Sequence, residues 1–501
     1  MPIETHAFFT SLGALLGSPM LLALIVLAIP IGMFFGAVPG LGGKLGIALL
    51  IPFVFGMEPL HGAVFLLAMH AVVHTGGSIP SILFGIPGTG PDAATIVDGY
   101  PMAQKGQAGR ALGASLGASG VGGVIGAIVL ALLLPVLRPV VLSFGPAEFF
   151  LLAILGVTFI AALSGDSLVK GLIVGCLGLT VAMVGMDPMT GVARFTFGQL
   201  FLWDGVDVIT AVLAMFAIPE MIALGVRGGS VSAVPRDLAN YGLREVIEGM
   251  LDVGRHWWLT LRTSVIGALV GVVPGLGGDA ASWLCYGHAV QSSKTPERFG
   301  KGAVEGVIAP EAANNSKEGG ALLPTLFFGI PGSSGMVLLL GALITLGIQP
   351  GPQLILYHLD LVWTLIWALV LANVIAVVMF LAIARWVGLL TFVRGGLLVP
   401  LIFVFAITGS YLSSGNWKSL IVLLLFGFLG YGLKRSDWPR PPFVIGLVLG
   451  GIAEVSLHKA LAIWGPAFLL RPPSLILLAM IGASILFYVW RRRSLRTDDG
   501  G

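Results

Sequence analysis

Long apolar segments without a charged residue recur along this 501-residue chain. Most of them approach the length of a membrane-spanning helix, which needs about 20 mainly apolar residues and tolerates some tilt. The pattern therefore predicts a helix for each segment. The segments are Ala111–Leu137, Phe149–Gly165, Gly171–Met186, Val208–Pro219, Leu361–Ala384, Gly395–Trp417, Ser419–Leu433, Pro441–Ala453 and Pro472–Trp490.

Two further apolar segments, Thr5–Gly90 and Gly267–Leu359, are interrupted by clusters of glycine and proline. Over the whole chain 56% of the residues are hydrophobic and 10% are charged. Because soluble proteins carry about 25% charged residues, this composition excludes a soluble enzyme, a disordered chain and a collagen-like repeat. We predict an all-α polytopic membrane protein with about 10–12 spans.

The remaining totals exclude other classes. The net charge is only +3, which does not favour nucleic-acid binding. Cys176 and Cys285 lie in apolar segments, so a disulfide framework is not expected. Residues 1–43 contain no lysine or arginine, and we therefore expect the first helix to be retained rather than cleaved as a signal.

Lysine and arginine are distributed unevenly between the predicted loops. If the segment from Arg227 to Arg262 is cytoplasmic and the sides alternate, about three times as many basic residues lie inside as outside. Cytoplasmic loops of membrane proteins carry such an excess. This map predicts a periplasmic N-terminus and a cytoplasmic C-terminus.

The chain contains an internal repeat. The sequence Gly36-Ala-Val-Pro-Gly-Leu-Gly-Gly43 returns as Gly271-Val-Val-Pro-Gly-Leu-Gly-Gly278, 235 residues later. The sequence Pro80-Ser-Ile-Leu-Phe-Gly-Ile-Pro-Gly88 returns as Pro324-Thr-Leu-Phe-Phe-Gly-Ile-Pro-Gly332, 244 residues later. Two motifs that return in the same order indicate a duplicated unit.

The charges next to the repeat predict that its two halves have opposite orientations. Lys105 and Arg110 follow the first pair of motifs and map to the inside, whereas the counterpart Ile348–Leu359 carries no basic residue and maps to the outside. Many secondary transporters use such inverted repeats to place one site near the membrane midplane. A tandem duplication in one orientation is the alternative.

The repeat divides the chain into four predicted parts, and each membrane repeat contains a broken helix followed by a re-entrant hairpin. The parts are a first membrane repeat at 1–225 (break 36–43, hairpin 78–92), a cytoplasmic connecting segment at 226–262, a second membrane repeat at 263–465 (break 271–278, hairpin 319–335), and a C-terminal helix with a basic cytoplasmic tail at 466–501.

Glycine and proline at membrane depth free backbone groups, which are tolerated only where they line a cavity or bind something. Each hairpin tip should start a new helix, with Thr89, Ser333 or Ser334 as its N-cap and Pro91 in a first turn. Glycines that only permit close helix packing are the alternative. The residues of the predicted breaks are Pro39, Gly40, Gly42, Gly43, Pro274, Gly275, Gly277 and Gly278.

Two helix starts that face each other would suit a carboxylate substrate without a fixed lysine or arginine, because their free N–H groups favour an anion. Nearby oxygen atoms would suit a coupling cation. The predicted substrate-binding residues are Gly88, Thr89, Gly332, Ser333, Ser334, Asn314 and Asn315. The predicted ion-coupling residues are Asp92, Asp279, Ser78 and Ser282.

Other ionisable residues lie in or near the broken segments, where they are functional candidates by default. Lys317 and Glu318 form either a functional pair or a pair at an interface, and Asp98 either has a role in transport or faces the cytoplasm. For the histidines we favour packing over proton transport. The remaining acidic candidates are Glu305 and Glu311, and the histidines are His61, His70, His74 and His288.

Longer motifs surround the repeated ones. They are Pro39–Gly43, Phe84-Gly-Ile-Pro-Gly-Thr-Gly-Pro-Asp92, Asp98-Gly-Tyr-Pro-Met102, Lys105-Gly-Gln-Ala-Gly-Arg110, Pro274–Gly278, Ser293-Lys-Thr-Pro-Glu-Arg-Phe-Gly-Lys301, Ala309-Pro-Glu-Ala-Ala-Asn-Asn315 and Phe328-Gly-Ile-Pro-Gly-Ser-Ser334. In these motifs, and over nearly its whole length, the chain resembles the large permease subunit of the tripartite tricarboxylate transporter family.

That resemblance implies a secondary importer of carboxylates in the bacterial inner membrane, coupled to Na⁺ or H⁺ and needing no other cofactor. It also implies two partners, a small four-helix membrane subunit and a periplasmic solute-binding protein that delivers the substrate. A stand-alone organic-anion symporter or channel is one alternative. An intramembrane protease with Ser119 as nucleophile is a second, weaker alternative. ATP hydrolysis is excluded because Gly42-Gly43-Lys44-Leu45 does not fit a phosphate-binding loop.

Overall fold

The computed structural model describes residues 2–38, 41–163, 167–227, 242–274, 277–390 and 395–498. Most of these residues are helical, which confirms an all-α polytopic membrane protein. The helices are α1 (Pro2–Gly17), α2 (Pro19–Ala37), α3 (Gly42–Val54), α4 (Pro59–Phe84), α5 (Ala93–Gln104), α6 (Ala108–Leu142), α7 (Pro146–Leu163), α8 (Leu168–Ala182), α9 (Val208–Val212), α10 (Ile218–Arg227), α11 (Leu243–Arg255), α12 (Trp257–Val272), α13 (Gly277–Ser292), α14 (Glu305–Phe328), α15 (Ser334–Thr345), α16 (Pro352–Tyr357), α17 (Leu359–Leu390), α18 (Gly395–Ser414), α19 (Ser419–Arg435), α20 (Pro441–Trp464) and α21 (Pro472–Asp498).

A short antiparallel hairpin interrupts the helical pattern after α8. Its strands are β1 (Gly185–Met186) and β2 (Ala193–Arg194), so the apolar segment that reaches Met186 is helical only as far as Ala182. Short 3₁₀ turns of three to six residues and one π-helical segment complete the described helices. The turns are Gly90–Asp92, Leu200–Leu202, Pro296–Arg298 and Gly465–Leu470, and the π-helical segment Leu213–Ala217 joins α9 to α10.

Every charge-free segment of the sequence contributes a helix. Among the described residues, five helices are long and apolar enough to cross a membrane, namely Pro19–Ala37, Pro59–Phe84, Ala108–Leu142, Leu359–Ala382 and Pro441–Leu470. The prediction of about 10–12 spans therefore requires that shorter apolar helices of 10–17 residues, such as α3, α8 and α12, also cross.

Both predicted helix breaks contain a real interruption. α2 ends at Ala37 and α3 begins at Gly42, where φ is 63°, and α12 ends at Val272 and α13 begins at Gly277, where φ is 66°. Glycine adopts this left-handed backbone without steric cost, which explains its presence at both equivalent positions. Pro39, Gly40 and Gly275 lie outside the described residues.

The hairpins are shorter than the motifs that predict them. Pro80 and Pro324 lie inside α4 and α14, and the helices end where Gly85 and Gly329 have φ values of 65° and 66°. We define the first tip as residues 85–89 and the second tip as residues 329–333. Each tip returns the chain into a new helix, so the central helices α4 and α14 both lead into the middle of the protein.

The two repeats use equivalent glycines for packing. A Cβ atom on Gly36 of α2 would overlap the carbonyl of Val73 on α4, and a Cβ atom on Gly271 of α12 would overlap the carbonyl of Lys317 on α14. The two glycines are 235 positions apart and the two carbonyl residues are 244 positions apart, which are the displacements of the first and the second repeated motif. Backbone therefore contacts backbone in each helix pair, as small residues permit in membrane helices. These glycines serve packing, which is the alternative interpretation for this part of the first motif.

The amphipathic helix α11 is attached to the start of α6 by a buried carboxylate. Asp252, 1% exposed, accepts hydrogen bonds from Arg110 Nε at 2.6 Å and Arg255 Nη1 at 2.7 Å. Burial acts to raise the pKa of Asp252, but the two guanidinium groups outweigh it and hold the pKa below its ordinary value.

Asp252→Asn should lower the free energy of unfolding by about 1–3 kcal/mol at neutral pH, because two charge-assisted hydrogen bonds are weakened. A depressed carboxyl pKa stabilises the fold above the ordinary value of 3.8 and ceases to do so as pH falls through the folded value. Thermal unfolding in detergent should thus separate variant from wild type at pH 7 and less at acid pH. Glu248→Gln, exposed on the same helix, is the matched control; equal Tm values for both variants at pH 7 would contradict this account.

Candidate functional site

The breaks and the tips of both repeats meet at a cavity of about 640 Å³. The first repeat contributes Gly42–Lys44 at the start of α3 and Gly88–Pro91, where the first tip leads into the turn Gly90–Asp92. The second repeat contributes Gly277–Asp279 at the start of α13 and Ser333–Gly335, where the second tip leads into α15. Four interrupted segments of backbone thus share one space, in the manner of the broken helices that form transporter sites.

The helix breaks place opposite charges at equivalent positions of this cavity. Lys44 and Asp279 are each the third residue of their helix, and both side chains are exposed to the cavity. α3 packs against α15, whereas α13 packs against the turn Gly90–Asp92. Among the described residues the Lys44 side chain has no hydrogen bond and no ion pair, although Asp279 attracts it across the cavity. The cavity therefore has a basic side at Lys44, on the helix that packs against α15, and an acidic side at Asp279, on the helix that packs against the turn Gly90–Asp92.

The first tip contains its own anion. Asp92 Oδ2 accepts hydrogen bonds from the Thr89 backbone N at 2.7 Å and the Thr89 hydroxyl at 2.6 Å, and Asn314 Nδ2 donates to Oδ1 at 3.1 Å. Thr89 is the N-cap of the turn, as predicted. The carboxylate of Asp92 thus already occupies the position at which a helix start would attract an anion.

The second tip lacks such a carboxylate. The residue equivalent to Asp92 is Met336, 244 positions later. Ser333 is the N-cap of α15, and its hydroxyl oxygen accepts a hydrogen bond from the Met336 backbone N at 3.3 Å; Ser334 is the first residue of the helix rather than its cap. The N-terminal dipole of the 12-residue helix α15 therefore has no internal anion comparable to Asp92.

A cluster of ionisable side chains connects the central helices α4 and α14. His74 Nε2 lies 2.9 Å from Glu318 Oε1, and Lys317 Nζ donates to the same oxygen and lies 3.3 Å from His74 Nε2. His70 Nε2 lies 3.4 Å from Glu318 Oε2. All four residues are at least nine-tenths buried, and His70, His74 and Lys317 line the cavity.

Another wall of the cavity is held together by ion pairs. Glu220 on α10 pairs with Lys434 Nζ at 2.5 Å and with Arg440 Nη2 at 3.2 Å. Arg440 Nη1 also donates to the Met215 carbonyl at 3.0 Å, inside the π-helical segment Leu213–Ala217. π-helical segments alter the regular backbone hydrogen bonding and are frequent at functional sites. The wall formed by α10, α19 and α20 is therefore tied together by charge at the cavity surface.

Comparison with known proteins identifies the family. The model of the tripartite tricarboxylate transporter TctA family matches residues 22–445. The chain belongs to the TctA family. An uncharacterised 52.8 kDa protein in the TAR-I ttuC' 3' region of Agrobacterium vitis is 33% identical over 445 residues, covering 86% of this chain and 85% of that protein.

A second similar protein, in the TAR-II ttuC' 3' region of Agrobacterium vitis, is also described as uncharacterised. It is 38% identical over 198 residues, covering 39% of this chain and 81% of that protein. No solved structure matches the chain. TctA proteins are the large permease subunits of a transporter family, so the cavity belongs to a component of a membrane transporter.

The structure of this TctA protein brings most of the predicted substrate-binding residues to the cavity. Gly88, Thr89, Ser333 and Ser334 line it. Gly332 does not, because it packs against Ala321 and its backbone N donates to the Thr325 hydroxyl at 3.3 Å. Asn314 and Asn315 are buried behind the lining: Asn314 holds Asp92, and Asn315 Nδ2 donates to the side-chain oxygens of Thr75 and Asn373 at 3.0 and 2.9 Å.

The predicted cation ligands are divided. Asp279 lines the cavity, whereas Asp92 acts behind it as the internal anion of the first tip. The Ser78 hydroxyl donates to the Thr75 carbonyl at 2.9 Å, and the Ser282 hydroxyl donates to the Pro310 carbonyl at 3.4 Å. Both serines lie outside the cavity, so the structure gives them no place among its lining residues.

Sequence reasoning missed several residues of the cavity. The sequence predicts a site without a fixed lysine or arginine, whereas Lys44 and Lys317 line this cavity. It favours packing for His70 and His74, yet both line the cavity beside Glu318. The displacement of the first motif pairs Lys44 with Asp279, and this is the signal in the sequence that points to Lys44.

Two other ionisable candidates, Asp98 and Glu311, have structural partners away from the cavity. Asp98 accepts hydrogen bonds from the backbone N atoms of Gly302 and Ala303, both at 2.8 Å. Glu311 accepts hydrogen bonds from the hydroxyls of Thr95 at 2.5 Å and Ser119 at 2.9 Å. Ser119, the candidate nucleophile of the protease alternative, is thus fully buried and donates to a carboxylate.

Proposed function

We propose that this TctA protein is a secondary active importer of di- or tricarboxylates and that the substrate binds in the central cavity. The observation that supports this most directly is the basic side of the cavity, where the Lys44 side chain has no hydrogen bond and no ion pair among the described residues and shares the space with the start of α15. A lysine and a helix N-terminus both favour a carboxylate, and their effects add at one place. The polarised cavity would orient the substrate with one carboxylate at the basic side.

We propose further that uptake is coupled to a cation, Na⁺ or H⁺. A trivalent anion that enters a cell with a negative interior faces about 7 kcal/mol at 100 mV before any concentration gradient, since each charge involves about 2.3 kcal/mol. The chain lacks a phosphate-binding loop, so co-transported cations are the means that remain. Asp279, on the acidic side of the cavity, is the predicted cation-binding residue that stays available.

The family also implies partner subunits. We propose a periplasmic binding protein that delivers the substrate and a small membrane subunit, with this chain in the bacterial inner membrane, its N-terminus in the periplasm and its C-terminus in the cytoplasm. The excess of basic residues on one side supports that orientation. The inverted arrangement of the two repeats rests on the same charge distribution, whereas the equivalent packing of Gly36 and Gly271 supports the duplication itself.

Lys44→Met tests the substrate site. In proteoliposomes that contain the permease and its partner subunits, uptake of labelled citrate, malate and succinate would be measured. The variant should raise the KM of the transported acid about tenfold to hundredfold, because a charge-assisted hydrogen bond contributes about 1.5–3 kcal/mol. Lys44→Arg keeps the charge and should retain part of the affinity.

Lys459→Met is the matched control, since it removes an exposed lysine far along the chain in α20. It should leave KM unchanged. An unchanged KM in Lys44→Met would contradict the proposed position of the substrate. Uptake by the permease and membrane subunit without any binding protein would favour the stand-alone symporter, and uptake that persists after both the Na⁺ and the H⁺ gradients are dissipated would contradict secondary coupling.

A further inference from the structure

The position of His74 and Glu318 in the repeats is unusual. The two residues are separated by 244 positions, the displacement of the second motif, so each is the equivalent of the other. They are also in direct contact, with 2.9 Å between His74 Nε2 and Glu318 Oε1. Residues that are equivalent in two repeats can touch only near the axis that relates the repeats. The pair therefore lies between the two repeats, and a displacement of either repeat would alter the contact between His74 and Glu318.

The cluster around this pair is deeply buried and incompletely bonded. His70 is 3% exposed and Glu318 is 1% exposed. In the described part of the chain, no hydrogen bond is made by either ring nitrogen of His70 or by Glu318 Oε2, although His70 Nε2 lies 3.4 Å from that oxygen. Buried polar atoms without partners are rare and need an explanation. Here they leave room for one more proton between a carboxylate and an imidazole.

The chemistry of the cluster favours a proton over Na⁺. Hard cations prefer oxygen ligands, but three nitrogen-bearing side chains surround the single carboxylate of Glu318. The ammonium of Lys317 already contacts that carboxylate and so occupies the place of a bound cation. Imidazole is the side chain whose ordinary pKa lets it gain and lose a proton near neutral pH.

A hydrogen-bonded path links the cluster to the first tip. His74 Nδ1 lies 3.3 Å from the hydroxyl of Thr89, which donates to Asp92 Oδ2 at 2.6 Å. Thr89 lines the cavity, and it is two contacts away from Glu318 through His74. Hydrogen bonds through Thr89 therefore link the protonation of the cluster to the cavity and to the turn that Thr89 caps.

We propose that the His74–Glu318 pair binds the proton that is transported together with the carboxylate. This rests on the proposed function, since it assigns the coupling ion of the same cavity. One proton enters the pair and forms an N–H bond on His74 or an O–H bond on Glu318, while Lys317 keeps its own protons. The charge of the four residues rises from zero to plus one, and Glu318 holds the Lys317 ammonium less strongly.

Lys317 is then able to pair with the substrate carboxylate in the cavity, which it already lines. Proton and substrate thereby bind cooperatively, because each favours the state that the other requires. On release of the carboxylate inside, Lys317 returns to Glu318 and the proton leaves the pair. One proton is moved for each cycle of the cluster, and no other chemical group is consumed.

Other charged groups face the same region and belong to the same electrostatic unit. Other helices also pack against α4 or α14, but their described parts bring no charged side chain to the cavity. Among them are α2, α6, α12, α15 and α17. The groups that do are Lys44 from α3, His70 from α4, Asp279 from α13, and Glu220, Lys434, Asp437 and Arg440 from the opposite wall; Asp92 and Glu311 lie behind the lining.

The test uses the complete transporter in proteoliposomes, Na⁺-free, with the membrane voltage clamped by K⁺ and valinomycin. The external pH stays at 7, so that the protonation of the external citrate, malate or succinate does not change. Raising the internal pH by one unit should raise the accumulation ratio of the transported acid about tenfold for one coupled proton. Entrapped pyranine should report acidification of the lumen during uptake.

For His74→Gln, the accumulation ratio with the pH gradient is compared with the ratio that the same variant reaches at equal pH. The two ratios should be the same, because the variant should no longer respond to the gradient. The matched control is His61→Gln, at the other end of α4, where His61 pairs with the exposed Glu58 at 3.1 Å; it should respond as the wild type does. If His74→Gln transports nothing, purified wild type and variant are compared for proton uptake from a weakly buffered detergent solution on addition of the same acid. Only the wild type should take up protons.

The outcomes separate this inference from the proposed function. Wild-type uptake or exchange of a carboxylate without acidification and without response to the gradient would overturn the proton assignment and leave the importer intact. An unchanged response in His74→Gln would overturn the assignment to this pair. Neither uptake nor exchange of any of the three acids by the wild type would instead contradict the proposed function itself.

Discussion

Met336→Asp should abolish carboxylate uptake while the protein remains folded. The equivalent Asp92 shows how an aspartate at this position behaves: it accepts hydrogen bonds from the backbone N and the hydroxyl of the N-cap residue. At the start of α15, an aspartate would do the same with Ser333 and would place a fixed negative charge directly behind the cavity-lining residues Ser333–Gly335. The substrate carboxylate would then lose its place and meet a like charge.

We expect a loss of about a hundredfold or more in kcat/KM, because a charge-assisted interaction of about 1.5–3 kcal/mol is replaced by repulsion. Initial rates of uptake in proteoliposomes measure the effect. Met336→Asn has nearly the same shape as the aspartate variant without its charge, and it should keep much more activity. A folded Met336→Asp protein that transports at the wild-type rate would show that the substrate does not use the start of α15.

Gly271→Ala should destabilise the protein severely. The added Cβ would overlap the backbone carbonyl of Lys317, and backbone atoms in the middle of the buried helix α14 cannot move aside cheaply. Overpacking of a tight core costs about 1–3 kcal/mol, and here it would also displace the lysine beside Glu318. We expect a lower Tm in detergent, a smaller folded fraction in size-exclusion chromatography and little uptake.

Gly287→Ala is the matched control, because nothing lies within 4 Å of the Cβ it would introduce on α13. It should be neutral or slightly stabilising, since alanine favours a helix over glycine by up to about 1 kcal/mol. Gly36→Ala should reproduce the damage of Gly271→Ala in the first repeat. Equal stability of Gly271→Ala and Gly287→Ala would mean that α12 and α14 are not packed backbone to backbone.

The sequence predicted the fold class and the interrupted segments because their signals are local. Charge-free segments of sufficient length become helices, and glycines with a left-handed backbone mark the break at Gly42 and the tip at Gly85. The N-caps Thr89 and Ser333 also follow from residue type and spacing alone. Such features depend on neighbours along the chain, so a pattern of residues is enough to locate them.

The composition of the cavity depended instead on contacts between distant segments. Lys44 shares the cavity with the second tip because α3 packs against α15, and His74 meets Glu318 across 244 residues. Ser78 and Ser282 have suitable chemistry, but the helical backbone accepts their hydroxyl hydrogens and they lie outside the cavity. Residue type alone does not show which side of a helix faces its neighbours. It also does not show which group will accept a hydroxyl hydrogen.

The backbone contacts at Gly36 and Gly271 have a mechanical consequence. Where no side chain lies between two helices, a change of side-chain rotamer cannot accommodate sliding of one helix along the other. We therefore expect two stiff pairs, one formed by α2 and α4 and the other by α12 and α14. A protein that opens alternately to two compartments must then deform at other positions. We expect hinges of such a motion at the left-handed glycines Gly42 and Gly277, at the junctions to α3 and α13, because a glycine backbone rotates with little steric cost.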